Sequence, residues 1–274
     1  MKLLAQTPIS YYPLNQAKDI CVDTHLTIEF DLEVKAGNKG IISIVDKTTR
    51  KVVDRIDMSI PAGPTEGQPK NPADNCSNMI FKNIAFKTDC KGQAEGFLPN
   101  GERNFAQNVH VIGDGDALQV NGSAYWLNCI IDGGGDTVLG RGPSYFNHCS
   151  ISSYGVFMWI RNTKENHGNI FNDCTFKALS QYAVIARLPD NKGKNYPEAE
   201  CVLLNCTLDG VPSEGFGQIA ESASSAKLYE FNSHDKEGKS IDVSGRDKHV
   251  RLLDAIKDAE LIGKYSDAKL VLGW

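Results

Sequence analysis

The chain has 274 residues, enough for one large domain or two smaller ones. Charged residues make up 23% and apolar residues 41%, an ordinary balance for a globular protein, and the net charge of −5 argues against general nucleic-acid binding. No apolar run approaches the ~20 residues of a membrane span.

The opening residues, from Met1 to Pro8, contain one Lys but no apolar run long enough for a secretory signal. Residues 12–60 then read as short strands at Thr27–Phe30, Gly40–Val45 and Lys51–Ile56, with turns at Gly37–Gly40 and Lys47–Arg50. A segment over 61–74 follows. Between Pro61 and Pro72 it carries four Pro and two Gly in twelve residues, which breaks any regular element. The next strand is expected over Met79–Phe86.

From there four stretches nearly repeat: Tyr125–Gly133, Tyr145–Ser153, Ile170–Ala178 and Val202–Gly210. Each has an apolar or aromatic pair, a polar stretch containing Asn, a Cys, and one more apolar alternation before a turn. The Cys residues at 129, 149, 174 and 206 are 20, 25 and 32 residues apart. A constant strand with variable insertions indicates a solenoid whose insertions loop out on one side. The repeated unit is a strand, so the economical architecture is a parallel β-helix with rungs about 4.8 Å apart. Residues one rung apart in sequence then become neighbours. The chain holds eight Cys in all, at 21, 76, 90, 129, 149, 174, 201 and 206, and none lies in a paired C-x-x-C zinc pattern. Four share one register and are read as small hydrophobes stacked inside the solenoid, with disulfides the alternative. After about Phe231, residues 247–262 carry Leu252, Leu253, Ile256, Ala259 and Ile262 at the spacing of an amphipathic helix.

Several motifs occur in a fixed order: Gly113–Gly122, then Tyr125–Cys129, Gly134–Leu139, Ile185–Pro189, Pro212–Phe216, Leu228–Asn232 and Gly273-Trp274. Together they resemble the pectin methylesterase family over residues 75–274. The resemblance implies an all-β, right-handed parallel β-helix, in agreement with the repeats. Residues 1–60 resemble a truncated bacterial Ig-like module. The second half of that module and the family's first rungs are missing, and the break around Pro61–Asn75 is expected to mark an internal deletion or a fragmentary gene.

The family hydrolyses methyl esters of galacturonate with a nucleophilic Asp, an acid/base Asp, two oxyanion-donating Gln and an orienting Arg. A carboxylate nucleophile needs a charged neighbour to fix it, and the oxyanion needs preorganised donors. Carried over by residue, Asp136 takes the acid/base position and Arg187 the Arg position. The nucleophile position falls on Val156, and the Gln positions fall on Asp114 and Gly135. An ester hydrolase built here therefore uses an altered catalytic set, with Asp136 and a carboxylate at Asp114 or Asp116. Asp116 and Asp136 are 20 residues apart, one rung, and stacked carboxylates push one pKa up. Arg187, Arg141 and Arg161 are candidates to clamp uronate carboxylates, with His167 beside them. Trp159 and Tyr182 are candidates to stack on sugar rings. Asp114 and Asp116 serve equally as turn residues among glycines, His167 as a loop residue, and Trp159 as core.

The resemblance implies pectin or another galacturonate-containing polysaccharide as partner, no cofactor or metal, and a periplasmic or extracellular location. The competing readings are a non-catalytic uronate-binding β-helix, and a lyase or glycosidase on the same architecture. A lyase would want a calcium-binding carboxylate cluster, for which Asp114, Asp116 and Asp136 are the candidates.

Overall fold

The computed structural model describes residues 8–12, 27–30, 41–45, 48–57, 77–92, 94–193 and 195–274. The linker over 61–74, Cys21, Cys76 and the opening seven residues lie outside them. The chain divides into two compact units, Met1–Lys70 and Asn71–Trp274. In the first, Pro8–Tyr12 pairs antiparallel with Thr27–Phe30, and Ile41–Val45 with Val52–Asp57. Three of these strands match the sequence reading, and Pro8–Tyr12 is additional.

The second unit is a right-handed parallel β-helix of three sheets. The eight-stranded sheet runs from Ile80–Lys82 through Asn104–Gln107, Ala124–Leu127, Ser144–Asn147, Asn169–Asn172, Glu200–Leu204 and Lys227–Phe231 to Val250–Leu252. The six-stranded sheet runs from Ala85–Lys87 to Thr207–Asp209. The four-stranded sheet stacks Leu118–Val120, Val138–Gly140, Met158–Ile160 and Ala186–Arg187. All the pairs in these three sheets are parallel, so each rung visits the sheets in turn.

The repeated Asn-Cys has a physical cause. Between the first and second sheets the chain turns through one residue with positive φ: Asn83, Asn108, Asn128, His148, Asp173 and Asn205, all between 50° and 55°. Asn, Asp and His are the non-glycine residues that best tolerate this left-handed conformation. The next residue points into a tight corner, where a small side chain fits. Cys129, Cys149, Cys174 and Cys206 fill it in one buried column. The Cys129 and Cys149 amides each donate to the sulfur of the next rung at 3.4 Å. All six described Cys are free thiols. The sulfur hydrogen bond with Cys149, followed by burial, pushes the Cys129 thiol pKa up, which suits a packing role rather than a nucleophile.

Inside the solenoid Trp126, Phe146 and Phe171 stack, with ring centroids 5.9 and 4.6 Å apart. Phe176 meets Phe171 edge-on. These rings are fully buried. Phe171→Ala removes the last ring of the stack together with its edge contact to Phe176, and a buried Phe→Ala change costs about 3–5 kcal/mol. A clear drop in thermal midpoint with parallel-sheet circular dichroism retained at low temperature is the expected result.

The C-terminal segment corrects the helix expected over 247–262. Val250–Leu252 instead adds a last parallel strand beside Lys227–Phe231. The Asp254 carboxylate then accepts from the Ile256 and Lys257 amides in a turn. Helix α1 begins only at Ala259 (Ala259–Ser266), and α2 spans Ala268–Leu272. Tyr265 and Val271 pack on Tyr145, Ile170, Val202 and Leu204, the outward side of the eight-stranded sheet. The Tyr145 hydroxyl donates to the Ser266 carbonyl at 3.0 Å.

Candidate functional site

The turns entering the four-stranded sheet bring the predicted carboxylates together. Asp116, Asp136 and Val156 each stand two residues before a paired strand residue, namely Leu118, Val138 and Met158. They therefore share a column, one rung apart. The approach there is close. A Cβ at Gly134 would sit 1.9 Å from the Asp114 carbonyl, so only Gly fits. Asp136 itself adopts φ 45°, which Asp tolerates.

Arg187 reaches Asp136 across 51 residues of sequence. Its Nε donates to one carboxylate oxygen at 2.8 Å, and Nη2 donates to the other. This bidentate pair raises the Arg187 pKa. Arg187 also lies over the Trp159 ring, at 4.6 Å from its centroid, on the next rung of the same outward column. Arg161 lies 5.0 Å from the same ring. Trp159 is thus an outward-facing ring in contact with two guanidinium groups, not core.

Asp116 differs from Asp136 in its surroundings. Burial, then the Asp136 charge and then Glu95, push its pKa up to about 6, against the pull of Arg161 and Arg187. Asp114 is exposed. It accepts from the Gly92 amide at 2.9 Å and from Lys91 at 3.1 Å, which lower its pKa in that order. Its geometry is that of a turn cap at the rim.

A cleft of about 390 Å³ is lined by Asp114, Asp116, Asp136, Val156 and Arg187 with Gly92, Gly115, Gly134 and Gly135. A second cleft, of about 330 Å³, shares Val156 and Arg187. Its other walls are Gln181, Tyr182, Val184, Glu214, Gly217 and Gln218. The sequence reading missed Gln181 and Gln218. Their only signal was position, beside Tyr182 and just after the Pro212–Phe216 motif. Tyr182 is 71% exposed at this rim.

His167 does not join the site. Its Nδ1 meets the carboxylate of Glu200 at 2.6 Å, and its ring meets Tyr265 edge-on at 5.8 Å, so it lines neither cleft. Glu200 is 1% exposed and also takes Lys227 at 3.4 Å. This polar cluster ties the α1 flank to the solenoid. Arg141 sits beyond Trp159, where its Nη2 donates to the Tyr196 hydroxyl at 3.3 Å.

A second polar group lies on the six-stranded sheet. Asp132 meets His110 Nε2 at 2.6 Å and accepts from Ser152 Oγ at 2.5 Å. Nucleophilic activation needs the imidazole between hydroxyl and carboxylate. Here the carboxylate lies between, so the arrangement is not a triad.

Comparison with solved structures decides the fold. A pectin methylesterase from Aspergillus niger superposes with a TM-score of 0.55 at 22% identity, covering 70% of this chain and 62% of that one. The fold is that of the pectin methylesterases. The carrot pectin methylesterase gives a TM-score of 0.55 at 12% identity, over 73% of this chain and 66% of that one. A pectin methylesterase in complex with a hexasaccharide gives 0.54 at 17%, over 73% of this chain and 71% of that one. This chain thus spans less than two thirds of the length of the Aspergillus protein. No family model and no curated protein matches it.

Proposed function

We propose that the cleft binds a galacturonate-containing polysaccharide and hydrolyses its methyl esters with a catalytic set different from that of the pectin methylesterases. The observation that carries this reading is the Asp116–Asp136 pair. One carboxylate is locked onto Arg187, and the other, one rung away, titrates near 6. A carboxylate with that pKa is a better base at neutral pH than an ordinary one.

Val156 cannot attack an ester, so water is the nucleophile in this scheme. Ionised Asp116 takes a proton from water as the water oxygen adds to the ester carbonyl carbon. The Arg187 face, which borders this cleft, supplies the charge toward the developing oxyanion. The tetrahedral adduct collapses, the carbon–methoxide bond breaks, and Asp116 returns its proton to the methoxide. Methanol and the free uronic acid leave, and the acid gives its proton to solvent to become the uronate. Asp136, in the family's acid/base position, fixes Arg187 and supplies the charge that raises Asp116.

A methanol-release assay on methyl-esterified pectin tests this. Release should rise with pH through about 6 as Asp116 ionises. No methanol between roughly pH 4 and 9, with pectin still bound, would sink the esterase reading and leave the non-catalytic binder, which Val156 favours. The lyase alternative would need a carboxylate cluster able to hold calcium. Among the described residues no three His, Cys, Asp or Glu side chains converge in a metal-holding group. The antiparallel pairing of residues 8–12, 27–30, 41–45 and 52–57 supports reading residues 1–60 as a truncated Ig-like module. A polysaccharide substrate accords with a periplasmic or extracellular location. No described helix is long and apolar enough to cross a membrane.

A further inference from the structure

Arg141 and Arg161 directly follow Gly140 and Ile160, which pair in the four-stranded sheet. The two arginines therefore leave the sheet at one corner, one rung apart, about 4.8 Å along the solenoid. Two like charges so close repel. The Arg161 pKa is lowered by burial first and by Arg141 second. The Nε and Nη2 atoms of Arg161 are buried and have no hydrogen-bond partner. Among the described residues the Arg141 guanidinium donates to the Tyr196 hydroxyl and to no carboxylate. Arg161 feels the charges of Asp116 and then Asp136, but it is hydrogen-bonded to neither, and Asp136 is already held by Arg187 at both oxygens. Arg161, with covered and unused donors, and the exposed Arg141 beside it have no carboxylate hydrogen-bonded to them among the described residues, an arrangement that an anion completes.

The pair is continuous with the cleft. The Arg187 and Arg161 guanidinium carbons lie 4.6 and 5.0 Å from the Trp159 centroid, so no more than about 10 Å separates them. A chain lying in the cleft across Asp136 and Arg187 therefore passes Trp159 and brings a neighbouring unit to Arg161. We propose that Arg161 and Arg141 form a carboxylate subsite that holds a free uronate unit of the polysaccharide, a short distance from the unit at Asp116. This rests on the polysaccharide reading of the cleft and sharpens it. The favoured ligand is partly de-esterified, with free acid groups beside the position of chemistry. Arg161 comes off its orphaned position to pair with that acid, and the Trp159 face it covers becomes free for a sugar ring.

The test is calorimetric binding by the intact chain of two oligomers of equal length: an unesterified oligogalacturonide and its carboxyl-reduced counterpart. Neither carries an ester, so turnover does not interfere. The acid form should bind at least about tenfold tighter. Arg161→Gln and Arg141→Gln should each cut binding of the acid form toward that of the reduced form and leave the reduced form unchanged. Arg141 is exposed at a turn, so its variant carries the test even if Arg161→Gln melts early. Equal affinity for the two oligomers, or an acid preference that survives both substitutions, overturns the subsite. Failure of both oligomers to bind overturns the subsite together with the polysaccharide reading. Absence of methanol release with the acid preference intact removes only the esterase chemistry.

Discussion

Asp116→Asn is expected to lower methanol release by about 10²- to 10⁴-fold, the usual contribution of a positioned acid or base. Its side chain keeps the same shape but can neither take nor return a proton. The same substitution should stabilise the fold at neutral pH. The Asp116 carboxyl titrates near 6 in the folded chain, against an ordinary value of 3.8. Its folded pKa is raised, so the folded state holds the proton more tightly than the unfolded state. The resulting destabilisation is absent below about 3.8, grows as pH rises and is complete above about 6. In a dry site such a shift corresponds to roughly 3 kcal/mol. Solvent reaches this partly exposed group, so about 1 kcal/mol is the discounted figure. For a chain of this size that is a rise of about 2–4 °C in Tm. The rise should appear at pH 7 and vanish at pH 4. Lost activity with unchanged or lower stability at pH 7 would mean that the carboxyl is not held against its ionisation. Unchanged activity would move the base to another residue.

The parts of this fold legible in the sequence were those set by local steric rules repeated at one register. Asn, His or Asp before Cys marks a left-handed residue followed by a tight corner, so Cys129, Cys149, Cys174 and Cys206 could be aligned without a structure. The segment after Asp247 was misread because Leu252, Leu253 and Ile256 fit a helical face equally well. The deciding forces were non-local. Sheet edge Lys227–Phe231 was open to another strand, and the Asp254 side chain closed a turn on the Ile256 and Lys257 amides. The site divides the same way. Asp116 over Asp136 followed from a step of one rung. Arg187 lies 51 residues from Asp136, beyond insertions of variable length, and the family resemblance located it where spacing could not. Gln181 and Gln218 stand on such insertions and left no periodic trace. His167 was drawn toward the site by type alone, whereas its burial partner Glu200 lies 33 residues on, in the strand that faces the α1 flank.

The ion pair offers the sharpest separation of structure from chemistry. Asp136 and Arg187 side chains are 13% and 28% exposed, so the pair is mostly desolvated. Arg187→Met leaves the Asp136 carboxylate without its partner. Breaking a fully buried pair costs about 3–5 kcal/mol, and partial exposure here brings the expectation to about 2 kcal/mol. Asp136→Asn with Arg187→Met removes both charges and should recover most of that loss. The pH profile should move in opposite directions in the two single variants. Arg187 pulls the Asp116 pKa down, so Arg187→Met shifts the acid limb of methanol release above 6. Asp136 pushes it up, so Asp136→Asn shifts the limb below 6. Both variants lower the rate, because Arg187 is absent from the oxyanion face in one and no longer anchored there in the other, but only the electrostatic coupling to Asp116 moves the limb. Limbs that stay at 6 in both variants would show that the titrating group is not Asp116. Limbs that move together would show that the two charges act on it through a rearranged site rather than across one rung.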